Sequence, residues 1–255
     1  MEATSAASDV LRRYALTIGD TSLILAQRLG EWIGHAPALE EDLALANIAL
    51  DLLGQARYLL SHAAQLQGGG TEDHLAFLRD PQDFLNLSLV EQPNGDFGQT
   101  IVRQFLIDAW QLELFERLQQ SSEPKLAELA AKAIKETRYH FRFSSGWMVR
   151  LGDGTEESHR RVQTALDALW RFTHEMFVAS PVEQEAAALG IGPDPASLAA
   201  GWASRVEEVL QEATLKRPAD VAYSWHGKRG QHSEHLSRLL AEMQIMQRTY
   251  PGAQW

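Results

Sequence analysis

The sequence has 255 residues, 45% of them hydrophobic, a formal net charge of −11 and no cysteine. That apolar content supports a sizeable core without crosslinks, and the missing cysteine excludes disulfides, thiolate-held zinc, cysteine-bound iron–sulfur clusters and a cysteine nucleophile. The acidic balance, with no basic stripe, argues against nucleic acid. No GxGxxG or P-loop pattern follows a strand-like run, which disfavours nucleotide chemistry. The opening MEATSAASDVLRR lacks the order of a signal peptide and no uninterrupted apolar run has the length of a membrane span, so a soluble cytoplasmic protein is expected.

Helix formers with apolar residues at three- and four-residue spacing dominate, and strand signals are nearly absent, so the expected fold class is all-α. The first helix should run from about Ser8 to Ile33 and stop at GHAP. The second, about Leu39 to Leu66, is apolar almost all round, which predicts a central helix. Residues 68–95, with DPQDF and EQPNGDF, read as an irregular stretch long enough to cross between helix pairs. A third helix, about Phe97 to Gln120, and a fourth, about Glu123 to Leu151, are joined by SSEP and should pair as an antiparallel hairpin. Hairpin, long crossover, hairpin is one topology of ferritin-like four-helix bundles. Thr155, in the turn GDGT, can cap a fifth helix reaching about Phe177. A helix opened by Asp194 and Pro195, the loop YSWHGKRGQHSEH and a final helix from about Ser233 to Tyr250 complete a single domain: a core bundle over about 8–151 and a helical extension over about 155–255.

The acids of the long helices raise the question of chemistry. Counted from the two turns, Asp20 and Asp51 lie about equally far from the first, and Asp108 and Glu136 about equally far from the second, each roughly 21–23 Å away along its helix. Their neighbours at helical spacing, such as Leu16 and Leu23 for Asp20 or Phe105 and Leu112 for Asp108, suggest inward faces. One acid from each of four helices is the carboxylate half of a di-iron site. The histidine half is absent: three residues after Asp51 stands Gly54, and three after Glu136 stands Tyr139, with His140 one place late. Glycine supplies no ligand and a neutral phenol is a poor one. Buried acids without a metal must be paired, protonated or hydrated. Lys132, one turn before Glu136, is a candidate cation, and Asn47 and Gln55 are candidate hydrogen-bond partners of Asp51. A metal-free polar network, a weakened metal site using His140, and acids facing solvent all remain open, the first being favoured.

Weaker features are read conservatively. The one literal E-x-x-H, Glu156 to His159, opens a helix with no inward partner. His226, His232 and His235, beside Lys228 and Arg229, fit a surface loop and helix start better than a metal or anion site. Trp32, Trp110, Trp147, Trp170, Trp202, Trp225 and Trp255 fit core or interface packing.

Several long segments, among them GDTSLILAQRLGEWIGHAP, LEEDLALANIALDLLGQAR, LVEQPNGDF, FLIDAW, KAIKETRYHFRFSSGWMVRLGDGTEES, LWRFTHEMF and LAEMQIMQRTYPGAQW, together resemble the C-subunit family of the bacterial phenylacetyl-CoA epoxidases, multicomponent oxygenases of aerobic phenylacetate breakdown. The resemblance spans nearly the full chain. It implies a ferritin-like structural subunit that is not an enzyme by itself. In that family a homologous subunit holds the di-iron centre and epoxidises the aromatic ring of the CoA thioester, and a reductase subunit delivers electrons from NADPH. It implies no catalytic, cofactor-binding or metal residue here; Asp20, Asp51, Gly54, Asp108, Lys132, Glu136, Tyr139 and His140 would be the vestige of a site. An active di-iron oxygenase using Asp51, Glu136 and His140, or a stand-alone helical binding module, are the competing readings.

Overall fold

The computed structural model describes residues 2–221 and 225–253, with side chains from residue 6 onward. Among the described residues the elements are helical: α1 (Glu2–Trp32), α2 (Leu39–Gln67), α3 (Glu72–Phe77), α4 (Phe97–Leu118), α5 (Pro124–Gly152), α6 (Glu156–Trp170), α7 (Pro181–Ala188), α8 (Ala199–Glu212), α9 (Glu234–Met243) and α10 (Ile245–Thr249), with short 3-10 turns between some of them. The all-α expectation holds. The fifth helix is shorter than expected, continuing after Trp170 as a 3-10 turn over Thr173–Phe177, and the expected final helix is two helices that meet at Gln244.

Contacts divide the chain into two compact units. One comprises Met1–Ile33, Leu43–Gln92 and Trp225–Trp255; the other comprises Gly34–Asp42 and Pro93–Ser224. The expected extension is therefore shared: its last part belongs with α1 and α2, the rest with α4 and α5. Trp255 and part of the loop YSWHGKRGQHSEH lie outside the described residues.

In the first unit α1 meets α2 closely at Gly19, where an added Cβ would stand 3.1 Å from the Leu59 Cβ. Three residues on, the Ser22 hydroxyl donates to Gln55 Oε1 at 3.4 Å. The stretch expected to be an irregular crossover is ordered as α3 and two 3-10 turns, and Phe84–Val90 are buried against the unit. Buried backbone needs partners, and α1 supplies them. Asp20 accepts from the amide of Leu85 at 2.9 Å, the Thr21 hydroxyl from Leu87 at 3.2 Å, and Arg28 donates to the Glu91 carbonyl at 2.6 and 3.0 Å.

In the second unit α4 and α5 form the expected hairpin, with α6 and α8 packed on them. Asp96 caps α4 by accepting from Gln99 N at 2.9 Å, and Thr155 caps α6 by accepting from Ser158 N at 3.1 Å, as expected from GDGT. It is α4, not α2, that is enclosed on every side: all residues from Thr100 to Phe115 are buried. The apolar-all-round reading of α2 placed it at the centre, but Leu39, Leu43 and Leu50 are 68%, 54% and 64% exposed. Among the described residues α2 alone is long and apolar enough to cross a membrane by composition, and 44% of that stretch is buried within the protein.

Candidate functional site

In the first unit the packing of α1 on α2 fixes the heights of Asp20 and Asp51. Gly19 faces Leu59 and Leu60, and Ser22 faces Gln55. The residue level with Asp51 is then near Ala26, roughly 10 Å along α1 from Asp20 at 1.5 Å per residue. The symmetric count from the turn fails because α2 overhangs the end of α1: its first turn, up to Asp42, belongs to the other unit. Asp20, wholly buried, is held by both terminal nitrogens of Arg79, one of them at 3.0 Å from Oδ2, in addition to the Leu85 amide. Arg79 also lies over the Phe84 ring at 4.2 Å and donates to the Asp83 carbonyl. This carboxylate organises the segment that crosses α1. Asp51 is half-buried, and Gly54 is exposed, with nothing within 4 Å of where a Cβ would stand.

In the second unit the Asp108 carboxylate meets Ser144, whose hydroxyl donates at 2.7 Å, and Gln104, whose amide donates at 2.6 Å. Glu136 lies two turns nearer the start of α5, roughly 12 Å away along the axis, so here too the two acids are offset rather than opposite. Lys132 Nζ is 3.7 Å from Glu136 Oε1, the ion pair expected from their spacing; the lysine side chain is 78% exposed and the pair is a weak one. Tyr139 is exposed, with Arg142 beside its ring, while His140, the next residue, is wholly buried. Burial pushes the Asp108 carboxyl up to about 6, against the pull of the His140 charge and of the donors Ser144 and Gln104.

These positions test whether a di-iron centre fits. The place of one ligating histidine is an exposed glycine, that of the other an exposed tyrosine, and the Asp108 oxygens are engaged by neutral donors of its own unit. Among the described residues no group of three or more histidines and acids comes together as a metal would require. The donor set does not fit. His159 binds the Gly152 carbonyl at the end of α5 through Nδ1 at 2.7 Å, which accounts for the histidine of the E-x-x-H.

The sequence reading missed a second buried cluster in the first unit. Glu91, wholly buried, accepts from Ser233 N at 2.8 Å, Ser233 Oγ at 2.6 Å and Asn86 Nδ2 at 3.0 Å, and lies 2.6 Å from His232 Nδ1. His232 Nε2 is 2.8 Å from the Phe84 carbonyl. With an oxygen at each nitrogen, the ring is fixed between Glu91 and the Phe84 carbonyl, one proton being shared between Nδ1 and the Glu91 carboxyl. The loop taken for a surface feature thus buries His232 and Lys228. Gly227 allows the approach: a Cβ there would stand 2.3 Å from the Asn86 carbonyl oxygen. Only the glycines of HGKRGQ hint at such contact in the sequence.

The profile of the phenylacetic acid catabolic protein family matches residues 1–255. The chain belongs to that family. Within the phenylacetic acid catabolic proteins it is 56% identical, over 245 residues covering 96% of its length and 99% of the relative's, to the C subunit of the 1,2-phenylacetyl-CoA epoxidase of Escherichia coli (strain K12). The all-α, ferritin-like class read from the helices is that of this family. The polar clusters around Asp20, Asp108 and Glu91 are features of a family member whose long helices carry acids without the matching histidines.

Proposed function

We propose that the chain is the structural, non-catalytic subunit of a 1,2-phenylacetyl-CoA epoxidase, pairing with a homologous di-iron catalytic subunit in aerobic phenylacetate breakdown, with a reductase subunit passing electrons from NADPH. The observation that carries this reading is that Gly54 and Tyr139, three residues after Asp51 and Glu136 where a di-iron bundle would set its histidines, are exposed, and that Asp108 is spent on Ser144 and Gln104. The near full-length similarity to a C subunit supports it. The chain holds no cofactor of its own in this reading, and the complex works in the cytoplasm without membrane or nucleic acid.

The outward leucines of α2 suit such a role. Leu39, Leu43 and Leu50 fall on one helical face at four- and seven-residue spacing, and three leucines more than half exposed are the kind of surface a permanent partner covers. We assign the contact with the catalytic subunit to the first two helices. Iron per chain, measured on the purified chain and on its complex with the catalytic subunit, tests the reading. Little iron in the chain alone and a full centre in the complex are expected; close to two irons in the isolated chain would overturn it. Leu43→Glu and Leu50→Glu should abolish co-purification with the catalytic subunit, and undiminished co-purification would move the interface elsewhere.

A further inference from the structure

The interface of α4 with α5 carries more polarity than its hydrogen bonds use. Gln104, Asp108 and Gln111 recur at four- and three-residue spacing on one face of α4, and Thr137, His140 and Ser144 recur at three and four on one face of α5. All six are wholly buried. The Asp108 carboxylate ties the two rows together through Ser144, and feels the His140 charge. From that junction the rows run antiparallel, so Gln111, one turn beyond Asp108, approaches the height of His140, and Thr137 lies one turn further along α5.

Four atoms of these rows have no hydrogen-bond partner among the described residues: Gln104 Oε1, Gln111 Oε1, Gln111 Nε2 and Thr137 Oγ1. A buried amide or hydroxyl left unpaired is costly, and four in one helix interface are too many to leave dry. They offer two carbonyl acceptors, a two-hydrogen donor and a hydroxyl, spread over roughly three turns. A buried water makes two to four such bonds, and this array supplies them. A single cation is a poorer match, because Gln111 Nε2 and Ser144 present hydrogens along the same line and the one carboxylate already accepts from two donors.

We propose that this interface is a binding site for ordered water: a short file of molecules running from the Asp108 carboxylate, past Gln111, to Thr137. The file completes the hydrogen bonding of Gln111 and Thr137 and solvates a carboxylate that burial otherwise disfavours. In place of a metal centre, the middle of this unit is held by water. The inference does not depend on the subunit role proposed above.

The test is the number of long-lived internal waters in the full chain, from ¹⁷O magnetic relaxation dispersion, compared with Thr137→Val and Gln111→Leu, which keep approximate shape and remove the polar atoms. The file predicts the loss of at least one long-lived water in each variant. The same count in wild type and both variants would overturn it. Should either variant fail to fold, high-resolution diffraction from the wild-type protein decides: two or more water peaks between Asp108 and Thr137 support the file, and their absence refutes it.

Discussion

Removing the guanidinium of Arg79 should be among the most damaging single changes outside the apolar core. Asp20 has no exposed surface, and the Arg79 side chain is 11% exposed, so the pair is buried on both sides. Arg79→Met keeps much of the stem over Phe84 but strands a buried carboxylate with the Leu85 amide and no cation. Breaking a buried pair from one side costs about 3–5 kcal/mol. For a chain of this size each kcal/mol lowers the melting temperature by about 2–4 °C, so a fall of roughly 6–20 °C is expected. Asp20→Asn should cost less, because the amide oxygen can still accept from Leu85 N and no anion is left behind. The double variant should cost less than the sum of the two, by about 0.5–3 kcal/mol. Thermal and urea unfolding of the four proteins at pH 7.5 measures all of this. An Arg79→Met loss below about 1 kcal/mol, or strict additivity, would refute the view that this ion pair holds the crossing segment to α1.

Asp108 makes a prediction of opposite sign. Its carboxyl is raised from 3.8 to about 6 by burial, so between those pH values the folded protein binds the proton and the unfolded chain does not. Stability therefore falls as pH rises through that window, by about 3 kcal/mol in total, and Asp108→Asn should flatten this part of the profile of melting temperature against pH; an unchanged slope would show that Asp108 titrates normally. Gly152→Ala would set a Cβ 2.3 Å from the Ala213 carbonyl oxygen, a backbone atom that cannot swing aside, so a loss of about 1–3 kcal/mol is expected in urea unfolding. Thr155→Ala removes the α6 cap and should cost about 1 kcal/mol in the same assay.

The long helices were legible because apolar periodicity and caps are local signals. Thr155, read as a cap, and the breaks EQPNGDF and SSEP mark helix ends that the structure reproduces within a residue or two. Heights across a hairpin were not legible. Counting from the turns assumed that paired helices end level, and the overhang of α2 and the meeting of Asp108 with Ser144 show that they do not. Partners distant in sequence were hidden for the same reason: Arg79 is 59 residues from Asp20, and His232 is 141 from Glu91. The one apolar-all-round helix was misplaced because composition cannot tell a helix enclosed by its own chain from one that leaves apolar residues exposed, as α2 does at Leu39, Leu43 and Leu50.

The fastening of the C-terminal segment has a consequence for how the chain is made. His232 and Ser233 bind Glu91, the Gln244 amide donates to the carbonyls of Ala76 and Arg79, and Arg248 reaches Asp80. On a ribosome, residues 93–221 form a continuous stretch of one unit, but the unit begun by the first helix stays unfinished until residues 232–248 have been made. Until then Glu91 is without His232 and Ser233, and the surface that the returning segment covers is open. A stalled or prematurely stopped product would carry that opening permanently, marking it for chaperones and proteases while a completed chain passes unnoticed.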